Sequence, residues 1–208
     1  MDPLAEQFAV EYARISGARD LSPVVLDSGK TMTEEIAATE RQIIVEVLCD
    51  GIRQRTHPSA LARTLYKRMK CEGVLRDWDR LARTELARAL HHGAWRAQRE
   101  AGGWRPDTMV YRMPSVGACN VCLRLHITAD GFPRLYPVAE VEGHDAFGLN
   151  RGARRGWHLR IGPIHPNCSC PPFARWNEIL RSLFERSADE RWRRIMRERG
   201  LNTGKAGG

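Results

Sequence analysis

Apolar residues recur every three or four positions through the first hundred residues of this chain, a period typical of amphipathic helices. A first helix is predicted over residues 3–16. A capping signature, formed by Thr31 with Glu34 or by Thr33 with the acidic turn that follows it, predicts a second helix that continues to about Arg55. The N-terminal quarter of the chain is therefore expected to be helical.

Two further helices follow with the same period. Pro58 suits the first turn of a short basic helix, because a proline there gives up no helical hydrogen bond. The next helix is predicted from Trp78 to about Ala101, with Asp77 as its cap and the glycine pair at 102–103 as its end. Together they extend the helical region to about residue 103.

The middle of that last helix carries Arg83-Thr84-Glu85, where threonine is a poor helix former. We therefore expect this element to contact the segment that packs on the helix, through a hydrogen bond from Arg83 or Glu85. His91 and His92 point about 100° apart on a helix, so they cannot easily share one metal ion. They are predicted to be surface or packing residues.

After the glycine pair the helical period gives way to short β-like runs. Residues 108–113 are predicted to form a strand, and residues 133–141, after the turn at Asp130-Gly131, are predicted to pair with it. Apolar residues at helical spacing return from Phe173 to Met196, with or without a break near Ser187.

Four of the six cysteines lie in two tight groups, on either side of sequence with little apolar surface to bury. The first group is Cys119 and Cys122, and the second contains His165, Cys168 and Cys170. Two thiolates at Cys-x-x-Cys spacing can reach one ion from a single turn, and a distant pair completes the tetrahedron around Zn²⁺. A four-coordinate site needs two of the three residues in the second group, and the sequence leaves that choice open.

Other chemistries for these cysteines fit the sequence less well. Disulfides need an oxidising compartment, and the acidic start of the chain lacks the apolar run of a secretory signal. A redox Cys-x-x-Cys pair needs a thioredoxin-like strand and helix, which the pattern does not predict. A catalytic zinc keeps a position open for water, whereas five protein donors favour a closed structural site.

The predicted fold class is α+β and mainly α. N-terminal helices are followed by a small module of strands and loops that a zinc ion holds together, and then by a C-terminal helix. Five regions are expected: an acidic helical docking region at 1–56, a basic helical region at 57–103, a zinc-binding module at 104–172, a C-terminal helix at 173–200 and a disordered tail at 201–208.

The charge of the chain is uneven. Residues 1–50 carry 4 basic and 10 acidic side chains, while residues 51–208 carry 29 basic and 15 acidic ones. The basic part suggests a polyanionic partner such as nucleic acid, although a solvated arginine-rich surface gives the same composition. The loop at 143–160 combines glycines with basic side chains, and its predicted phosphate contacts are Arg151, Arg154, Arg155 and Arg160.

The order of these motifs resembles that of the phage Mu F-like minor head proteins, also called phage head morphogenesis proteins. The likeness covers about residues 76–173. It rests on the following elements in this order: the helix with Ala82-Arg83-Thr84-Glu85, a strand, Cys119-x-x-Cys122, a variable loop, and His165-Pro-Asn-Cys168-Ser-Cys170. The chain departs from the family's motif at two places near the cysteines. Just before the first cysteine, the stretch from Ser115 replaces the common Asp-x-Arg-Thr. Between the last two cysteines, Ser169 replaces an arginine.

The resemblance implies a non-enzymatic structural protein of a tailed-phage or prophage head. It would lie in the virion, and in the host cytoplasm during assembly. Its implied partners are the portal and the major capsid protein, with packaged double-stranded DNA as a further one. No membrane partner is expected, because the chain has no apolar run of about 18 residues.

Two other functions remain to be tested against this one. A zinc-dependent nuclease or hydrolase would need a general base from the stretch between the cysteine groups, which offers Glu140, Glu142, His144 and Asp145. A zinc-dependent transcription factor would need a recognition helix after one of the cysteine groups, and none is predicted in the usual register.

Overall fold

The computed structural model of the chain describes residues 2–19, 38–69, 75–115, 117–145, 158–165, 167–184 and 189–201. The elements in chain order are α1 (Pro3–Arg19), α2 (Ala38–Arg53), α3 (Pro58–Arg68), α4 (Leu75–Glu100), β1 (Met109–Tyr111), α5 (Asn120–His126), β2 (Tyr136–Pro137), α6 (Val138–Asp145), β3 (Ala174–Arg175), α7 (Glu178–Leu183) and α8 (Asp189–Glu198). The prediction of a mainly helical α+β fold is confirmed.

Helices α1 to α4 form one unit, here called the helical body. The long helix α4 lies at its centre, and both α1 and α3 pack along it. All four helices contribute to one apolar core, which includes Ala9, Ile44, Leu48, Leu65 and Leu81. This core forms because the apolar positions of each helix recur with the helical period and so share one face.

Helix α1 approaches α4 very closely at Gly93. A Cβ atom built at this glycine would lie 2.4 Å from the backbone oxygen of Ala5 and 2.7 Å from the Cβ of Ala9. Such distances are well inside van der Waals contact, so only glycine fits here without moving α1. The close packing of α1 on α4 therefore depends on this residue.

The acidic region 1–56 and the basic region 57–103 meet in one core. Helix α3 does begin at Pro58, as predicted, and His57 caps it by accepting the N–H of Ser59 through Nδ1 at 3.3 Å. However, α1 and α2 share their core with α3 and α4. The cap predicted at Asp77 is also wrong, because α4 begins at Leu75 and Asp77 lies buried in its first turn.

The described residues from Trp104 to Leu201 form a second unit, here called the cysteine module. Its sheet has the strand order β2-β1-β3, and both pairings are antiparallel. Val110 lies at the centre, opposite Tyr136 on one side and Arg175 on the other. This small sheet packs on the C-terminal part of α4 through Trp95.

The module differs from the sequence prediction in two places. The strand expected over 133–141 is confirmed only at β2, because Val138 and Val141, three residues apart, are both buried and lie on one face of α6. The C-terminal helix expected at 173–200 is instead β3, α7 and α8. Asn177 begins α7 by accepting the N–H of Leu180.

Candidate metal centre

The first cysteine group lies at the start of α5. Cys119 is the residue before the helix and is exposed, and Cys122 lies in the first turn and is 1% exposed. The backbone of Cys119 is extended, so the chain turns sharply into the helix at this point. The turn presents both sulfurs to one side, as the spacing predicted.

The second group lies on a tight turn that the sequence His165-Pro-Asn-Cys168 encodes. The backbone N–H of Cys168 donates to the carbonyl of His165 at 3.1 Å. Asn167 has a φ of 61°, a left-handed conformation that asparagine tolerates better than most residues. The turn places His165 and Cys168 near each other, and Cys170 follows two residues later.

The five predicted donors form two groups of three that share one residue. The Nε2 atom of His165 lies 3.1 Å from the sulfur of Cys119 and 3.3 Å from that of Cys122. The sulfur of Cys122 lies 3.6 Å from that of Cys168, and Cys170 joins these two in a second group of close donors. Cys122 belongs to both groups and is the donor common to them.

No described cysteine forms a disulfide, and the two donor groups could hold a metal ion. A disulfide joins its sulfurs at about 2.05 Å, and the five described cysteines are all free. Bonds of about 2.3 Å to sulfur and about 2.0 Å to nitrogen place two ligands of a tetrahedral ion roughly 3.5 to 3.8 Å apart. Two thiolate groups and an imidazole at these distances form a donor set that could hold a metal ion.

Helix α4 supports the second turn through Thr84. Its hydroxyl donates to the carbonyl of Arg80 at 2.7 Å and accepts the N–H of Asn167 at 3.2 Å. The side chain is buried, since Thr84 is 4% exposed. The residue that disfavours a helix thus fixes the left-handed turn between two metal donors.

The other two residues of the Arg83-Thr84-Glu85 element have different roles. Arg83 donates to Asp79 at 2.6 Å and to the hydroxyl of Ser59 at 2.9 Å, so it joins α4 to α3. Glu85 is buried and pairs with Arg88 at 3.7 Å. The contact expected from Arg83 or Glu85 is therefore observed at Thr84.

The two serines that depart from the family pattern meet beside the cysteines. The hydroxyl oxygens of Ser115 and Ser169 lie 2.9 Å apart, in hydrogen-bond contact. This bond joins the segment before the first cysteine group to the segment between Cys168 and Cys170.

Arg112 lies buried next to the cysteines and was missed from the sequence. Its side chain is completely buried, donates to the carbonyls of Ile161 and Gly162, and stacks over the ring of Phe173 at 4.2 Å. One signal could have found it: Val110 and Arg112 are two residues apart, so both belong to the buried face of an extended segment.

Burial and neighbouring charges shape the ionisation of this region. Burial lowers the pKa of Arg112 to about 10, and the thiolates of Cys168, Cys170 and Cys122 oppose that shift. Hydrogen bonds from the thiols of Cys122 and Cys170 lower the pKa of Cys168. A thiolate is thus favoured at Cys168, and it faces a charged guanidinium.

Two buried histidines, His91 and His126, and the half-buried His92 are neutral for the same physical reason. Burial lowers the pKa of His91, His92 and His126 to about 3 in each case. His92 stacks on the ring of Tyr12 at 3.9 Å, and His126 packs edge-on against Phe173. The expectation that His91 and His92 serve in packing agrees with these positions, whereas a surface location does not.

The predicted phosphate contacts are only partly described. Arg160 is 4% exposed and faces Asp145 at 3.7 Å, so its prediction as a surface contact is wrong, because burial removes the guanidinium from the surface. The remaining predicted contacts, at Arg151, Arg154 and Arg155, lie outside the described residues.

The general bases considered for a hydrolase lie on α6. Glu142 accepts the indole N–H of Trp95 at 3.0 Å and pairs with Arg99 at 2.9 Å. Asp145 accepts the backbone N–H of Ile161 at 3.1 Å and lies 3.7 Å from His92. Glu142 therefore joins α6 to Trp95 and Arg99 of α4. Asp145 joins α6 to Ile161 and lies close to His92 of α4.

Comparison of the chain with protein-family models, curated proteins and solved structures finds no match. The resemblance to phage head proteins consequently rests on the motifs and their order alone. Among the described helices, none is both long enough and apolar enough to cross a membrane.

Proposed function

We propose that the chain is a structural minor head protein of a tailed phage or prophage, whose zinc ion holds the cysteine module in its folded form. The observation that carries this proposal is the pair of three-donor groups built from two distant segments, with Cys122 common to both groups. The order of the motifs supports the family, and the donor geometry supports the metal.

A structural role for zinc follows from the donor set. Four of five protein donors are enough to close a tetrahedral site, and closed sites with sulfur ligands are structural. Such an ion stabilises a fold directly, because the unfolded chain has no preformed site. Cys122, Cys168 and Cys170 share a core with Trp192 and Met196 of α8, so the ion would also fix that helix.

Contact with packaged DNA has support on α8. Its apolar side is buried at Trp192 and Met196, while Arg191, Arg194 and Arg197 are exposed at intervals of three residues. Arginines spaced in this way lie along one side of a helix and suit the phosphates of a duplex. This face replaces Arg160 as the surface that we expect DNA to contact.

Association with heads can be tested in the host that produces the chain. After induction, the chain should co-sediment with assembled heads in a density gradient, and C122S should reduce its amount there. The matched control is C49S, since Cys49 is buried in the helical body, away from the other four described cysteines. Recovery of the wild-type chain only in the soluble fraction, with heads present, would contradict the proposal.

The zinc-dependent nuclease is tested by plasmid nicking. The zinc-loaded full chain is expected to leave supercoiled plasmid intact with and without added Mg²⁺, because Glu142 and Asp145 are engaged in contacts that hold α6. Nicking that C122S abolishes and C49S retains would favour the enzyme over the structural protein.

DNA contact has a separate test. Replacing Arg191, Arg194 and Arg197 by glutamine should weaken duplex binding about tenfold or more and reduce its salt dependence, because each arginine that leaves a phosphate removes a counterion-release contribution. The control is a double substitution at Arg63 and Arg68 in the helical body, which removes exposed charge elsewhere. Equal losses in both variants would show non-specific attraction alone.

A further inference from the structure

We infer that Arg199, at the C-terminal end of α8, is a positioning residue for the metal centre. It holds the exposed donor Cys119 in place and so keeps the solvent-facing side of the centre closed. This role rests on the proposed metal centre and is the same whichever donors of the second cysteine group bind the ion. It adds the side on which the ion exchanges with solvent and the residue that slows this exchange.

The two donor groups differ in exposure. Cys122, Cys168 and Cys170 form one group, and all three are buried. The other group joins Cys122 to the exposed Cys119 and the half-buried His165. In the part of the chain that the structure describes, a competing ligand from solvent therefore meets the centre first at Cys119 and His165. Release of the ion is expected to begin on this side.

Arg199 contacts both neighbours of Cys119 in the chain. Its Nη1 atom donates to the carbonyl of Ala118 at 2.6 Å and lies 3.4 Å from the Oδ1 atom of Asn120. Cys119 is the residue before α5, and its side chain does not cap the helix. The carbonyl of Ala118 therefore lies outside the hydrogen-bond ladder of α5. The contact with Arg199 fixes the backbone where it presents the Cys119 sulfur.

The end of α8 holds Arg199 in position. Trp192 and Met196 are buried in the apolar cluster that also contains cysteines of the metal centre. Gly200 has a left-handed φ of 61°, and the N–H of Leu201 donates back to the carbonyl of Met196 at 2.9 Å, a common way to end a helix. Leu201 is buried in the same cluster. Arg199 thus lies between two apolar anchors, Met196 and Leu201, which limit its motion.

Arg193 on the same helix offers a matched comparison. It donates to the carbonyl of Asp130 at 3.0 Å, so it also joins α8 to a backbone carbonyl of the module. Asp130 belongs to the turn at Asp130-Gly131, which contains no metal donor. Removing Arg193 therefore loosens α8 without acting on either neighbour of Cys119.

The role of Arg199 is tested by zinc transfer from the full-length chain to an excess of chromophoric chelator. R199M should transfer zinc about fivefold faster than wild type, a change of the size expected when one hydrogen bond that orients a ligand is lost. R199K keeps a donor and the positive charge, and should restore most of the wild-type rate. R193M should transfer zinc at nearly the wild-type rate.

Thiol labelling shows where the centre opens. After brief treatment of zinc-loaded R199M with iodoacetamide, peptide mass spectrometry should show faster alkylation of Cys119 than in wild type, with Cys168 unchanged. Equal zinc transfer by wild type and R199M would overturn the role of Arg199 and leave the metal centre standing. Equal acceleration in R199M and R193M, or labelling that rises alike at Cys119 and Cys168, would do the same. A purified wild-type chain without zinc would overturn the metal centre itself, and the role of Arg199 with it.

Discussion

The helical body and the cysteine module bury their side chains in different ways. The core of the body consists of apolar residues from four helices, with Ile44, Leu65 and Leu81 fully buried. The module has strands of only two or three residues and buries Arg112 and His126 completely. Ordinary hydrophobic burial holds the body together, whereas the module places cysteine, arginine and histidine side chains among two smaller apolar clusters.

Helix α4 belongs to both units and shows the same contrast. Leu81 and Ala89 lie in the core of the body. Thr84 contacts the module at Asn167, and the side chain of Arg88 lies beside Gly162. The helix therefore has an apolar side for its helical neighbours and a polar side that supports the metal donors.

The contrast predicts that the largest effect will come from the sulfur common to both donor groups. C122S should lose stoichiometric zinc and unfold the module, since a structural zinc contributes about 10 kcal/mol or more to folding. Metal content and near-ultraviolet circular dichroism measure the two effects. C49S, in the body, should retain both, and equal loss of zinc in C49S would contradict the assignment.

The next effect concerns the body alone. G93A should destabilise the chain by about 3 kcal/mol, because its Cβ would clash with α1 and overpacking costs of this order are usual. Chemical denaturation measures the loss. The control is G143A on α6, where an added Cβ meets nothing within 4 Å, and zinc content should stay unchanged in both variants.

A smaller effect is expected where the two units meet. T84V should cost about 1 kcal/mol, because the N–H of Asn167 loses its hydrogen bond to the Thr84 hydroxyl, and zinc transfer to a chelator should become faster. T84S keeps the hydroxyl and should behave nearly as wild type. If T84V and T84S transfer zinc at the same rate, the hydrogen bond does not support the metal turn.

The last effect appears only on acidification. Burial lowers the pKa of His92 from 6.5 to about 3, with Arg88, Arg160 and Arg112 adding to the shift. Between these values only the unfolded chain binds the proton, so stability is lost as pH falls below 6.5.

H92F keeps the ring that stacks on Tyr12 and removes this titration. Between pH 6 and 4 the unfolding free energy of wild type should fall by about 1.4 kcal/mol per pH unit more than that of H92F. Urea unfolding at several pH values measures both slopes, and metal release affects the two proteins alike. Identical slopes would show that His92 does not stay neutral in the fold.

Much of the helical body could be predicted from the sequence, because each helix carries its own apolar period, and residues that favour a helix start or end mark its limits. Pro58 marks the start of α3 and the glycine pair marks the end of α4. The predicted start of α4 was a few residues too late, because an acidic residue such as Asp77 is favoured both at the N-cap and in the first turn of a helix.

The module was less predictable because long-range contacts shape it. The spacing of Cys119 and Cys122 identified a donor pair, but the sequence did not show which residues of the second group meet them. Val138 and Val141 fit both a strand and a helix, and their burial on α6 emerges only in the folded chain. The pairing of Ser115 with Ser169 joins residues 54 positions apart, which no local pattern reports.

The most direct measurement is the metal content of the full-length chain, purified without added metal or chelator and analysed by elemental mass spectrometry beside a thiol titration. The proposed centre predicts about one zinc per chain, with the cysteine thiols that bind it protected until a strong chelator is added. A folded chain that contains no metal and whose module thiols react at once would contradict it.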